Sequence, residues 1–244
     1  MRKLIFIVGL SAVLAAQNTF DVARKSFEAM SGYKSSLSKT TMTLRDANGH
    51  ENIRKLEIKK IEQNDGDRSL ITFLYPLDIK ETKLLSIEKI EEDDLQWLYM
   101  PALKRTKRIA SSNKSGSFMA SEFSYEDIAA QNYKKFTYQE PLNVVANEFE
   151  VVRFPKDTKS GYSKQILYID ATTYLPRFGI YYDKLGKPYK EIRFLEYKKI
   201  ENIWRAVRIE IKNVQTFKSS ELYWEEDNIS VAISADEISQ RALR

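Results

Sequence analysis

The sequence predicts a mainly β fold: one curled antiparallel sheet of about ten or eleven strands, an unclosed barrel with a few helices lidding its concave face. Three observations predict it. Val207, Ile209 and Ile211 alternate strictly with Arg208, Glu210 and Lys212, the pattern of a sheet with one wet face. Comparable stretches recur between turn signals every ten or so residues, and no composition break marks a linker. Only residues 19–31 and the neighbourhood of 124–131 carry helical signals. So long a sheet must curl or split into two layers. A curled sheet leaves an apolar cavity in its mouth, whereas a sandwich without a cavity is the alternative. At 244 residues, 43% hydrophobic and 30% charged, the chain suits a single large domain held by its core alone.

The first residues read as a leader. Arg2 and Lys3 precede the apolar run from Leu4 to Leu14, and Ala15 and Ala16 offer the small residues that a signal peptidase cleaves between. The run is too short to span a membrane as a helix. No cysteine follows it, so residues 17–244 are expected to be exported without a lipid anchor and to form one domain in the periplasm. The absence of cysteine and the single histidine, His50 beside Asn48 and Gly49, argue against Cys- or His-built metal centres and Cys nucleophiles. A catalytic triad would need His50, and no nucleophile-elbow sequence accompanies it. No metal and no cofactor is expected. The formal charge of +5, two units of which are Arg2 and Lys3, is too mild to call for nucleic acid.

Asn18 or Thr19 caps a helix in which Phe20, Ala23, Phe27 and Met30 recur at helical spacing, and Gly32 ends it. Met42 and Leu44 lie in the first strand, which turns at Asp46 to Gly49; Leu56 and Ile58 mark the second, closed by Asn64 to Asp67. Leu70 to Tyr75 is apolar on both faces except at Thr72, and Pro76 stops it. Leu84 to Ile90 leads into the acidic run Glu91 to Asp94, most simply a solvated turn. Further strands are expected at 133–139, 149–154, 163–169, 178–182, 191–197 and 217–224.

The most informative stretch runs from Leu95 to Ile128. Leu95, Trp97 and Tyr99 point one way and Gln96, Leu98 and Met100 the other, until Pro101 ends the strand. Lys104, Arg105, Lys107 and Arg108 follow, then a Ser/Gly-rich loop that carries Phe118, Met119 and Phe123. Three large apolar side chains in such a loop must cover something apolar, so the segment reads as a flap. Ser124-x-x-Asp127 can cap a short helical turn at its end.

This stretch also carries a resemblance. Tyr99-Met-Pro-Ala-Leu-Lys-Arg105, then Arg108-Ile109, then Gly116-Ser-Phe-Met-Ala-Ser-Glu-Phe-Ser-Tyr-Glu-Asp-Ile128 resembles the signature of the LolA-like outer membrane lipoprotein-sorting proteins. Tyr168-Ile-Asp170, Tyr174-Leu-Pro176, Tyr182-Asp-Lys-Leu-Gly186 and Ile200-Glu-Asn-Ile-Trp204 resemble their second half. Asn202 stands where a Gly is common and Ile238 where a Phe is usual. The resemblance implies a periplasmic carrier of acyl chains, of lipid or of lipoprotein, without catalytic residues. It also implies delivery towards the outer membrane and, as a partner, an inner-membrane exporter of the resistance-nodulation-division type.

Trp97, Tyr99, Phe118, Met119 and Phe123 are then the candidates for a lipid-binding lining, with a dry core as the other reading of the same residues. Lys104, Arg105, Lys107 and Arg108 are candidates for transient contact with acidic headgroups or a membrane surface. A solvated basic turn facing Glu91 to Asp94 explains them equally. Two other classes remain: a periplasmic lipid-sensing regulatory module of similar fold, and an exported hydrolase using Glu122, Glu126 and Asp127, for which capping is the cheaper explanation.

Overall fold

The computed structural model describes residues 17–243. The expected leader and its cleavage site at Ala15 and Ala16 lie outside them.

Every strand belongs to one antiparallel sheet. The strands are β1 (Ser35–Arg45), β2 (Glu51–Ile61), β3 (Arg68–Tyr75), β4 (Lys83–Ile87), β5 (Leu95–Met100), β6 (Arg105–Ile109) and β7 (Phe136–Tyr138). They continue with β8 (Asn143–Val145), β9 (Glu148–Pro155), β10 (Lys164–Asp170), β11 (Pro176–Tyr182), β12 (Pro188–Ile200), β13 (Ile203–Asn213) and β14 (Ser219–Ile229). Their order is β6-β5-β4-β3-β2-β1-β14-β13-β12-β11-β10-β9-β7, with β8 on β9. Most neighbours are consecutive hairpins. The long-range closure is β1 on β14, where Met42 faces Leu222 and Leu44 faces Ser220.

The sheet ends at β6 and β7 without pairing them, so the barrel is unclosed as expected. It has 14 strands rather than ten or eleven. The surplus lies in short strands without an alternating signal. Arg105–Ile109, read from sequence as part of a basic loop, pairs with β5, and Asn143–Val145 pairs with β9. The strand expected over 133–139 is a turn of 3-10 helix followed by only Phe136–Tyr138.

Two segments cover the concave face. Helix α1 (Thr19–Ala29) starts at Asn18, whose side chain accepts from the Asp21 amide. It lays Val22 and Ala23 on Phe149, Val151, Leu167 and Ile192 of the later strands. Helix α2 is a single turn, Tyr125–Ile128, with the Ser124–Asp127 capping box that the sequence suggests. It ends the flap, which lies over the earlier strands.

Strands β3 to β5 are covered on both faces. Ile71, Leu84 and Leu98 stand opposite one another across the ladders and pack under the flap. Leu70, Leu85 and Trp97, one residue out of phase, face the convex side. There the C-terminal turns Ala235–Ile238 and Gln240–Leu243 cover them with fully buried Ile238 and Leu243. Among the described residues, no helix is long and apolar enough to cross a membrane.

Candidate functional site

The flap fills the concave mouth rather than roofing it. Phe118 is fully buried, its ring centroid 5.7 Å from Phe73 of β3 and 5.7 Å from Tyr125. Phe123 is buried in the same cluster, and Met119, half-buried, packs against it. The wall beneath them is Met42, Leu56, Phe73, Leu84, Leu98 and Leu222.

The flap folds back on itself at this apex. Phe118 donates its amide to the Phe123 carbonyl at 2.7 Å, and the Ser121 hydroxyl donates to the Phe118 carbonyl at 2.7 Å. The reversal holds Met119 and Ala120 at φ values of 50° and 61°. Left-handed backbone costs a non-glycine residue about 1 kcal/mol or more, so the surroundings must hold it in place. The Arg54 guanidinium does so in part by donating to the Met119 carbonyl.

Polar clips fasten the rest of the flap to the far wall. The Glu122 amide donates to Ser220 Oγ, and its carboxylate accepts from Asn213 Nδ2, both at 3.0 Å. Asp127 meets Lys190 of β12 at 2.9 Å and accepts from the Tyr162 hydroxyl at 2.7 Å. The side chains of Lys190 and Asp127 are only 3% and 5% exposed. Burial, then the Asp127 charge beside it, raises the Tyr162 pKa well above the ordinary tyrosine value. Glu126 accepts from Ser160 Oγ and from the Gly161 amide. Burial nevertheless raises its pKa, against the lowering by those two bonds. Gly161 is needed here, since a Cβ would stand 2.6 Å from the Ser115 Cβ of the flap.

Beyond the end of the flap, the two free edges of the sheet approach across a cavity of about 350 Å³. Ion pairs line this seam. Lys135 reaches Asp94 at 2.6 Å and Glu88 at 3.4 Å, Lys159 reaches Asp93 at 2.6 Å, and Lys114 pairs with Asp157.

The structure divides the five expected lining residues. Phe118, Met119 and Phe123 converge on the concave wall. Trp97 and Tyr99 lie on the opposite face of β5, against the C-terminal turns with Ile238 and Leu243. Their alternation with Leu98 and Met100 is as read from the sequence. The side that faces the flap is the other one, because both faces of β3–β5 are apolar and both are covered. Lys104, Arg105, Lys107 and Arg108 are exposed. Asp93 and Asp94 pair with Lys159 and Lys135 instead; Lys104 and Arg105 lie at the other end of β5, while Lys107 and Arg108 run back along it opposite Leu98 and Trp97. Sequence reasoning missed Lys190. Its signal was its phase, since Lys190 shares the inward parity of Ile192 and Phe194.

A protein-family model described as "Uncharacterized protein" matches residues 65–244. No curated protein matches the sequence. Among solved structures, an outer membrane lipoprotein-sorting protein domain from Vibrio parahaemolyticus is similar. It is 32% identical, with a TM-score of 0.87 over 92% of this chain and 97% of that one. A DUF1329 family protein from Desulfovibrio piger is 26% identical, with a TM-score of 0.86 over 93% and 98% of the two chains. A LolA superfamily protein from Nitrosomonas europaea, 15% identical, shares the fold with a TM-score of 0.75 over 93% and 100%.

Proposed function

Because the chain belongs to the LolA-like family of outer membrane lipoprotein-sorting proteins, we propose that it is a periplasmic carrier that shields acyl chains on its concave wall. The cargo is a lipid or the acylated end of a lipoprotein, delivered towards the outer membrane. We further propose an exporter of the resistance-nodulation-division type as the donor. One observation carries the reading: an apolar flap apex, held in strained backbone and by polar clips, occupies the apolar wall of an unclosed barrel. The acyl chain takes the place of Phe118 and Phe123.

Magnitudes favour such an exchange. Hydrating a sixteen-carbon chain costs about 12 kcal/mol, at roughly 0.8 kcal/mol per methylene. Uncovering two phenylalanines costs about 3–6 kcal/mol. The remaining several kcal/mol can offset released hydrogen bonds and the ordering of the chain. Loading is then favourable without being irreversible, as a carrier requires. Leu56, Phe73, Leu84 and Leu98 supply the wall, and Met42, Met100 and Met119 supply side chains that adapt to chains of different shape.

The test locks the flap. The protein has no cysteine, so Glu122→Cys with Ser220→Cys creates a unique pair where the Glu122 amide now meets Ser220 Oγ at 3.0 Å. The oxidised variant should fail to take up a fluorescent fatty acid, and reduction should restore uptake. Equal uptake in both states would show that the flap does not yield the site. No uptake in either state or by the native chain would overturn the carrier reading.

A further inference from the structure

The hairpin tips at one end of β3–β6 combine exposed leucines with a run of basic residues, whereas Leu185 (82% exposed) and Phe217 (67%), in the β11–β12 and β13–β14 turns, have no such run beside them. Leu77, in the turn between β3 and β4, is 80% exposed, and Leu103, in the turn between β5 and β6, is 66% exposed. The ladders put both turns at the same end of four consecutive strands. Lys104 and Arg105 follow Leu103 directly, and Lys107 and Arg108 continue along β6.

Asp78 and Glu81 share the β3–β4 turn with Leu77 and Lys80, but among the described residues none of the four cations is ion-paired. From Leu95 to Ser121 the chain contains no Asp or Glu. The residues opposite them across the ladder are apolar: Arg105 faces Met100, Lys107 faces Leu98 and Arg108 faces Trp97. At the other end of the same strands Asp65, Glu91 and Glu92 carry charge without an ion-pair partner among the described residues, while Asp93 and Asp94 pair with Lys159 and Lys135. This blade of the sheet therefore carries a charge gradient along its strands. Charged side chains on an edge strand also discourage aggregation. That role does not require exposed leucines at the tips.

We propose that the β3–β4 and β5–β6 tips dock on the surface of a membrane that contains anionic lipid. Leu77 and Leu103 enter the interface, while Lys104, Arg105, Lys107 and Arg108 lie among the phosphates. Two single leucines on projecting turns, each followed by a charged residue (Asp78 and Lys104), suit a fluid interface rather than the packed core of a protein interface. Asp65, Glu91 and Glu92 at the other end, repelled by the same surface, turn the tips towards it. Docking in this pose serves the carrier function, on which its purpose rests. Ile79 and Met100, immediately behind the two leucines, pack against the cluster that holds Phe118 and Met119. The apex of the flap thus adjoins the end that meets the membrane, where lipid would enter or leave.

The experiment is co-sedimentation of the protein, without residues 1–16, with vesicles of phosphatidylcholine alone or with 30 mol% phosphatidylglycerol (roughly the charge density that polybasic segments respond to). Binding to the anionic vesicles alone, weakened by salt, is expected. Neutralising Lys104 and Arg105 should reduce it about fivefold per charge. Leu77→Asp with Leu103→Asp should reduce it further, whereas Leu195→Asp, at a residue 51% exposed on β12, should leave it unchanged. Equal binding to both vesicles, none to either, or insensitivity to the tip substitutions overturns the proposal. Fatty-acid uptake from micelles separates the two readings. Tip variants that load normally but do not sediment fail in docking alone, and a chain that sediments but never loads lipid overturns only the carrier reading.

Discussion

The flap and helix α1 cover the same concave face by different means. Helix α1 satisfies most of its backbone internally, so beyond the bonds of Thr19 to Gln139 and Glu140 it needs from the sheet an apolar surface, which Val22 and Ala23 find on Phe149 and Leu167. Aromatic edges supplement this, with Phe20 5.3 Å from Tyr133 and Phe27 5.5 Å from it. The flap has one helical turn, closes much of its backbone by folding back on itself, and is fastened to the wall by polar groups. Arg54 and Ser220 take up backbone groups of the flap, and Asn213, Gly161 and Lys190 hold the carboxylates of Glu122, Glu126 and Asp127, partners spread over both halves of the sheet. A cover held mainly by apolar contact stays put. One held by a few directional clips around an apolar apex can be exchanged as a unit for an apolar ligand.

The sharpest way to break this contrast is Asp127→Ala. It leaves Lys190 buried without its carboxylate and removes half of the capping box of α2. A loss of about 3–5 kcal/mol is expected in denaturant unfolding, with greater proteolytic sensitivity confined to residues near 110–131. Replacing Asp127 and Lys190 together by Asn and Met should recover much of it, because no unpaired charge then remains.

A smaller effect of opposite sign is expected at the far end of the flap. Ile128, Ala129 and Ala130 lie over a crevice that holds Lys60, Asp67 and Glu88. Burial, then the Glu88 charge, pushes the Asp67 pKa from 3.8 up to about 6. The folded state therefore holds a proton that the unfolded chain releases between about pH 4 and 6, so the charged carboxylate destabilises the fold as pH rises through that window. Asp67→Asn should gain about 1–2 kcal/mol at pH 7, discounted for the partial exposure of the group. Unfolding measured against pH should show the gain vanishing near pH 4, below which both forms are neutral.

The smallest effect belongs to the helix. Asn18→Ala removes the side-chain acceptor of the Asp21 amide and should cost about 1 kcal/mol in thermal unfolding. Fatty-acid uptake should remain native. Loss of uptake there would mean that α1 also takes part in the exchange.

Much of the fold was legible in the chain. Alternation and turn chemistry located the long strands, and Ser124-x-x-Asp127 located α2. Strand β6 was hidden because consecutive charged residues give no alternation; it forms because the edge of β5 accepts its backbone. At the site, the apolar residues of the flap showed that it covers something. Which face of β5 it covers was hidden, because a strand apolar on both faces has no outside in sequence.

Periodicity, caps and an apolar segment that could not stay in water are properties of neighbouring residues in the chain. These follow from the steric and solvation preferences of neighbouring residues. Tertiary structure alone decided that Trp97 and Tyr99 turn to the C-terminal segment, and that Asp127 finds Lys190, 63 positions away, beside Tyr162. It also decided that Asp94 and Asp93 pair with Lys135 and Lys159 rather than with the cations of β6. Such pairings depend on how a 14-stranded sheet curls, through the twist summed over every ladder between the partners, and no local pattern encodes that sum.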